Sequence, residues 1–167
     1  AATPLATNVV VLGNRSTSRL SNELYDAHYS LMDLKYPGRN GFAVRTLHDP
    51  YGNGYGAVLV GGSDAEGVLA GATAFAERLA DERPAAGELD VGWTMLTRIG
   101  DGLVVPTDLA AFETWEASKG YGSVGYFGWN SISKRMAMYY MTGDPKQARE
   151  VIRLSFPDER AIAEIEA

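Results

Sequence analysis

The sequence predicts an α+β protein: a small sandwich-like domain of β-α-β-β-α order, followed by an all-helical segment. Three observations carry this reading. Short apolar runs at 8–12 (NVVVL), 42–46 (FAVRT) and 57–60 (AVLV) read as strands, with helical repeats between and after them. The cluster Pro84-Ala85-Ala86-Gly87 then breaks the pattern. Beyond residue 106 the apolar positions recur at helical spacing. The expected organisation is an α/β domain over 1–83, a linker over 84–106 and a helical segment over 107–167.

Each element has its own signal. Asn8-Val9-Val10-Val11-Leu12 is a continuous apolar run, as in a buried strand, and Gly13-Asn14 ends it. Ser16, Thr17 and Ser18 offer caps for a helix with Leu20, Leu24, Ala27 and Leu31 on one face. A turn cluster follows at 37–41, and Phe42, Val44 and Thr46 predict a strand that Leu47 leaves. After the Gly/Tyr-rich loop 49–56 come a strand at 57–60, a double-glycine turn at Gly61-Gly62 and a helix from 64 to about 81. In the second half, Thr107 or Asp108 caps a helix over 107–118, and NSISKRMAMYYMT predicts a second over 130–142, closed by Gly143. Asp144 and Pro145 open a third, PKQAREVIRL, because proline suits the first helical position. Pro157-Asp158 start a fourth pattern that runs to Ala167. An aromatic helix such as MAMYYM wants neighbours on more than one side, so the helical segment is expected to be incomplete on its own.

Composition excludes several classes. Of the 167 residues, 46% are hydrophobic and 22% charged, the balance of a folded chain. Net charge is -6 with no basic run, which argues against a nucleic-acid partner. No apolar run approaches the ~20 residues of a membrane span. With no cysteine, the chain has no disulfides, no thiol nucleophile and no thiolate metal site. Asn14-Arg15-Ser16 fits the glycosylation sequon, a triplet that also arises by chance.

The stretch Gly61-Gly62-Ser63-Asp64 poses a specific question, because strand, glycine turn and helix is also how many proteins grip phosphate. The spacing matches neither GxxxxGK[ST] nor GxGxxG. Asp64 and Glu66 stand in the first helical turn, where they neutralise the dipole and repel an anion. The glycines are therefore expected to turn the chain, with Ser63 or Asp64 as cap. Gly67, Ala70, Gly71 and Ala74 are expected to let the helix lie close on the sheet.

NVVVLGNRSTSRLSNELY and FAVRTLHDPYGNGYGAVLVGGSDAEGVLAGATAFAERL together resemble the N-terminal α/β domain of β-hexosaminidase- and α-glucuronidase-type enzymes, over roughly residues 8 to 82. The shared pieces are a VVLG first strand and a GGSD..GV..A...F.E.L last helix. The resemblance implies an accessory, non-catalytic domain. RIGDGLVVP followed by GYFGWNSISKRMAMYYMTGDPKQAREVIRLSF resembles the opening hairpins of an α/α toroid, as in polysaccharide lyases of heparinase or alginate-lyase type and in some glycoside hydrolases.

The chemistry-bearing candidates are few. Tyr121, Tyr126, Phe127 and Trp129 crowd a glycine-rich loop ahead of Asn130. Flat aromatic faces suit the C–H faces of sugars, and the Asn amide suits a hydroxyl. Tyr121, Tyr126, Trp129 and Asn130 are thus the substrate-binding candidates; the plainer alternative is a core cluster and a helix cap. In a lyase, the toroid resemblance implies that Asn130 would meet a uronic carboxylate. His28 and His48 lack the short spacing of metal ligands, and Asp49 and Asn53 miss the calcium-loop pattern, so no metal and no cofactor is expected. Asp101 reads as a turn residue, and Glu113 and Glu116 as a solvated helix face. No catalytic residue is assigned.

The expected function is the N-terminal portion of a glycan-processing enzyme, a polysaccharide lyase or glycoside hydrolase, not active alone. Its partners would be a polysaccharide or oligosaccharide and the remainder of the same enzyme or another chain, at an extracellular or cell-surface location. The alternatives are a non-catalytic carbohydrate-binding or cell-surface module, and a small nucleotide-binding α/β protein.

Overall fold

The computed structural model describes residues 5–81, 91–119 and 131–155. Among them are four strands and five helices: β1 (Val9–Leu12), α1 (Arg19–Asp26), β2 (Phe42–Leu47), β3 (Ala57–Gly62), α2 (Ala65–Asp81), β4 (Met95–Arg98), α3 (Leu109–Lys119), α4 (Ser131–Thr142) and α5 (Pro145–Ser155). The chain divides into two compact units, Ala1–Leu103 and Val104–Ala167. The architecture is α+β, with one four-stranded mixed sheet in the first unit.

Strand order is β1-β3-β2-β4. β1 runs parallel to β3, whereas β2 runs antiparallel to both β3 and β4. The unbroken apolar run AVLVGG takes a central position and is buried along its whole length. Registers Val10↔Val58, Thr46↔Val58, Val44↔Val60 and Val44↔Leu96 place these side chains on one face. There Phe42, Val44, Val58, Val60 and Phe75 form a buried cluster, with Ala70, Ala74 and Leu79 of α2 packed around it. Each fully buried valine or phenylalanine in such a cluster stabilises the fold by about 1.5–3 kcal/mol. The opposite face carries Ala43, Arg45 and Leu59, and the segment after α1 lies over it through Met32 and Tyr36.

The small residues of α2 work as the sequence predicts. A Cβ at Gly71 would meet Phe42 Cβ at 3.0 Å and Val60 Cγ1 at 3.4 Å, and one at Gly67 would overlap the carbonyl oxygen of Gly41. The helix therefore seats close on β2 and β3.

Three expectations need correction. Gly61-Gly62 is not a turn; both residues lie in β3, opposite Ala43 and Phe42. They are glycine because neighbouring chain leaves no room. A Cβ at Gly61 would overlap Met32 Sδ, and one at Gly62 would stand 2.6 Å from Val68 N and 2.9 Å from Gly41 O. The first helix stops at Asp26, before Leu31. His28 turns left-handed (φ 68°), its amide donates to Tyr25 O, and the Tyr29 amide donates to Leu24 O, an αL helix end that the leucine periodicity does not reveal. Finally, β4 falls inside the stretch read as linker. Its four residues pair with β2 from far along the chain, and Thr94 extends the ladder by bonding Thr46 through backbone and hydroxyl. So short a strand has no periodicity to read; tertiary pairing decides it.

In the second unit α4 packs against both α3 and α5. Phe112, Ala137, Met138 and Met141 are buried there. Buried Gln147 joins the pieces: its Nε2 donates to Thr107 O (3.0 Å) and its Oε1 accepts from Arg135 Nη1 (3.2 Å). Gly143 closes α4 in a left-handed conformation (φ 69°), and Asp144 opens α5 by accepting the Lys146 amide (3.0 Å). An α/α toroid is not shown. The fourth helical pattern, 158–167, lies outside the described residues.

Candidate functional site

A mixed sheet offers two ends for ligands. The carboxyl ends of parallel strands are the usual place, since loops and helix N-termini converge there. In this protein that end is closed by its own polar groups. Asn14, just past β1, is 1% exposed, and its Nδ2 donates to Gly62 O (2.8 Å). Asn14 Oδ1 accepts from the Ser16 amide (2.9 Å). Ser63 Oγ accepts from Gly38 N (3.0 Å). Asp64 accepts from Gly67 N through Oδ1 (2.7 Å) and from Asn40 N through Oδ2 (3.0 Å). The Asn40 and Gly67 amides hold the Asp64 carboxyl below its ordinary range. Asp64 is thus the cap of α2 and already takes the amide donation that a phosphate would need. The same geometry bears on the sequon, because a glycan on Asn14 would not fit a fold in which this amide is buried and bonded to Gly62 O.

The opposite end is open. A depression of about 460 Å³ lies where β1 and β3 begin and β2 ends. Its apolar floor is formed by Val10, Val58 and Val91. Val10 is 55% exposed, although its registered neighbour Val58, and Thr46 beyond it, are buried. Burial of an aliphatic side chain is favourable, so a bare valine over a concave surface leaves apolar area for a ligand to cover.

Asn8, His48 and Asp49 supply the polar rim. The loop places each by a local bond. Asn8 Oδ1 accepts from Gly56 N (2.8 Å), fixing the amide plane. Asp49 is left-handed (φ 42°), and its Oδ1 accepts from Asn53 N (2.6 Å) and Gly54 N (2.9 Å). Asn8 Nδ2 and Asp49 Oδ2 have no partner among the described residues. Thus Asn8 keeps a donor and Asp49 an acceptor. Among the described residues that line the depression, Asp49 is the sole carboxylate and there is no Lys or Arg. Beside it, Trp93 stacks on His48 with ring centres 6.4 Å apart and planes 14° from parallel. Trp93 remains 62% exposed, so most of the indole faces solvent.

The sequence-predicted candidates Tyr121, Tyr126, Trp129 and Asn130 lie outside the described residues. Asp49 and Asn53 form a tight turn, with Asn53 Nδ2 bound to Leu5 O. Asp101 is a turn residue bridged to Arg39 and bonded by Asn40 Nδ2 (2.9 Å). Glu113 pairs with Lys134 on the surface (2.7 Å). Among the described residues no three His, Cys, Asp or Glu side chains gather into a metal-binding group. None of the described helices is long and apolar enough to cross a membrane.

Sequence reading passes over Trp93 and treats His48 as an ordinary histidine. The signal available was thin: a lone tryptophan in VGWT, within apparent linker, and a His-Asp pair at the end of a strand. Only the pairing of Thr46 with Thr94 brings the two rings together. The chain matches no protein-family model, no curated protein and no solved structure.

Proposed function

We propose that the chain is the N-terminal portion of a glycan-processing enzyme, a polysaccharide lyase or a glycoside hydrolase. In this reading the α/β unit is an accessory, sugar-contacting module, and the helices open an α/α toroid finished by the rest of the enzyme or another chain. The exposed Trp93–His48 pair beside a valine-floored depression supports it, since indole faces and apolar floors suit the C–H faces of sugars. The element order β-α-β-β-α is that of the accessory domains the sequence resembles. Among the described residues the lining holds one carboxylate and not the paired acids of glycoside hydrolysis, which favours binding over bond cleavage there. That single carboxylate also favours a second reading, a non-catalytic carbohydrate-binding or cell-surface module. In either case the chain works at an extracellular or cell-surface location, and Tyr121, Tyr126, Trp129 and Asn130 would add sugar contacts in the helical segment.

The test is activity of the complete polypeptide that contains these residues, on a panel of polysaccharides. New reducing ends mark a hydrolase, and new unsaturated, ultraviolet-absorbing ends mark a lyase. Binding without either product supports the module reading. No product and no binding refutes both.

A further inference from the structure

We infer that the depression between β1, the β2 end and the loop 49–56 is a subsite for one neutral pyranose unit, held by Asn8 and Asp49 with Trp93 at its side. This rests on the sugar-contacting reading above and deepens it by naming the class of sugar.

Charge decides the class. An acidic sugar needs a cation, or several N–H donors, for its carboxylate. Among the described residues the depression offers no Lys or Arg and presents Asp49 instead. Two like charges a few ångströms apart repel, the more so above a valine floor that excludes water. Phosphate and sulfate esters meet the same obstacle. An uncharged ligand that is apolar alone would leave the Asp49 and Asn8 groups unmatched.

A neutral sugar fits both demands. Each hydroxyl donates and accepts at once, and neighbouring hydroxyls on a ring lie side by side. Asp49 Oδ2 accepts from one, while Asn8 Nδ2 donates to another. The other atom of each side chain is already fixed by the backbone: Asn8 Oδ1 by Gly56 N, and Asp49 Oδ1 by Asn53 N and Gly54 N. These groups are therefore oriented before a ligand arrives, which lowers the ordering cost of binding. The ring's C–H face then lies against Val10 and Val58, with Trp93 at the side.

The two polar side chains allow an unusually discriminating test. Asn8→Asp and Asp49→Asn each retain an oxygen to accept the local amides, and each reverses the outward atom from donor to acceptor or the converse. Binding to the 167-residue chain is measured by calorimetry and by amide shifts. The probes are neutral oligosaccharides (xylo-, manno- and cello-series) and oligouronates at equal concentration. The urea midpoint of every variant is measured alongside.

The expected result is binding of at least one neutral series. Asp49→Asn, which removes a charge-assisted contact, and Trp93→Ala should each weaken it about tenfold at an unchanged midpoint, whereas Asn8→Asp should change it less, because a hydroxyl can turn to donate to the new oxygen. Trp93→Phe should recover part of the loss. Amide shifts should map to Asn8, Gly54 and Gly56. Oligouronate binding that matches or exceeds neutral binding, with the same dependence on Trp93, overturns the inference and leaves the glycan-enzyme reading standing. So does neutral binding that none of the three variants changes. Absence of binding to every probe overturns the inference and removes the sugar-contacting role of the α/β unit; activity of the complete polypeptide would still decide the enzyme reading.

Discussion

Replacing Gly62 by alanine separates the strand-packing role of this glycine from a turn role. The backbone of Gly62 is not left-handed, so the added methyl meets no conformational penalty and even reduces the freedom of the unfolded chain, by about 0.4–1 kcal/mol in alanine's favour. The cost is steric. The new Cβ would stand 2.6 Å from Val68 N, 2.7 Å from Gly67 C and 2.9 Å from Gly41 O. Ordinary contact begins near 3.4 Å, so two backbone segments must retreat by about half an ångström or more. Backbone at the head of α2 and at the entry to β2 cannot swing aside as a side chain does. Overpacking of this kind costs typically 1–3 kcal/mol, and with only backbone to yield the upper end applies. The net loss is about 2–3 kcal/mol, which for a unit of this size lowers Tm by roughly 10–20 °C. Urea and thermal unfolding of Gly62→Ala should be followed by circular dichroism, with hydrogen exchange of the β3 amides reporting the α/β unit specifically. Gly92→Ala is the control: nothing lies within 4 Å of its Cβ, so it should be neutral or slightly stabilising. If Gly62→Ala unfolds within about 0.5 kcal/mol of wild type, the close seating of α2 on β3 is wrong.

Other outcomes follow from single residues. Burial of the Tyr36 hydroxyl pushes its pKa from 10.0 up to about 12, so the neutral phenol is favoured in the fold. That contribution is complete below pH 10 and is lost as pH rises towards 12, about 2–3 kcal/mol in all; alkaline unfolding should begin in that window and be blunted in Tyr36→Phe. Asp64 shows the opposite sign. Its lowered pKa means that its stabilisation is full above the ordinary value of 3.8 and lost as pH falls through the folded value. Asp64→Asn should flatten acid unfolding below pH 3.8, and Asp64→Ala should cost about 0.5–2 kcal/mol at neutral pH as a lost cap. Expression in a glycosylating host should leave Asn14 unmodified by mass, and Asn14→Ala should cost about 1–3 kcal/mol because Gly62 O then has no Asn14 donor. The Lys134–Glu113 pair is partly solvated, so Lys134→Met should change stability by no more than about 1 kcal/mol.

The parts of the fold governed by local physics were legible in the sequence. AVLV announces a buried central strand because an unbroken apolar run suits a sheet covered on both faces; NVVVL is a strand too, but not the buried one its run suggests, since β1 lies at the sheet edge with Val10 and Leu12 exposed. Gly143 and Asp144 mark the boundary between α4 and α5 because a left-handed residue and a cap have few substitutes. The parts governed by distant partners were not. Residues 95–98 have no pattern of their own; β2 makes them a strand. Gly61 and Gly62 look like a turn by composition, yet Met32, Gly41 and Val68, far apart in sequence, are what require them small. The depression was missed for the same reason. Asn8, His48 and Asp49 lie in two separate stretches, Trp93 in a third, and their meeting depends on register rather than on any motif.

The late arrival of β4 has a consequence for how the protein is made. Thr46 and Thr94 are 48 residues apart, so β2, β3 and α2 leave the ribosome well before the strand that finishes the sheet. Until Arg98 clears the exit tunnel, the outer hydrogen-bonding groups of β2 have nothing to hold, and they form a sticky ribbon open to any extended peptide nearby. Slow translation while β4 is still inside the tunnel therefore lengthens the interval in which a nascent chain needs a chaperone. A ribosome-bound chain stalled with α2 outside the tunnel and β4 within it should be captured by one, whereas a chain stalled after Arg98 has cleared the tunnel should resist protease.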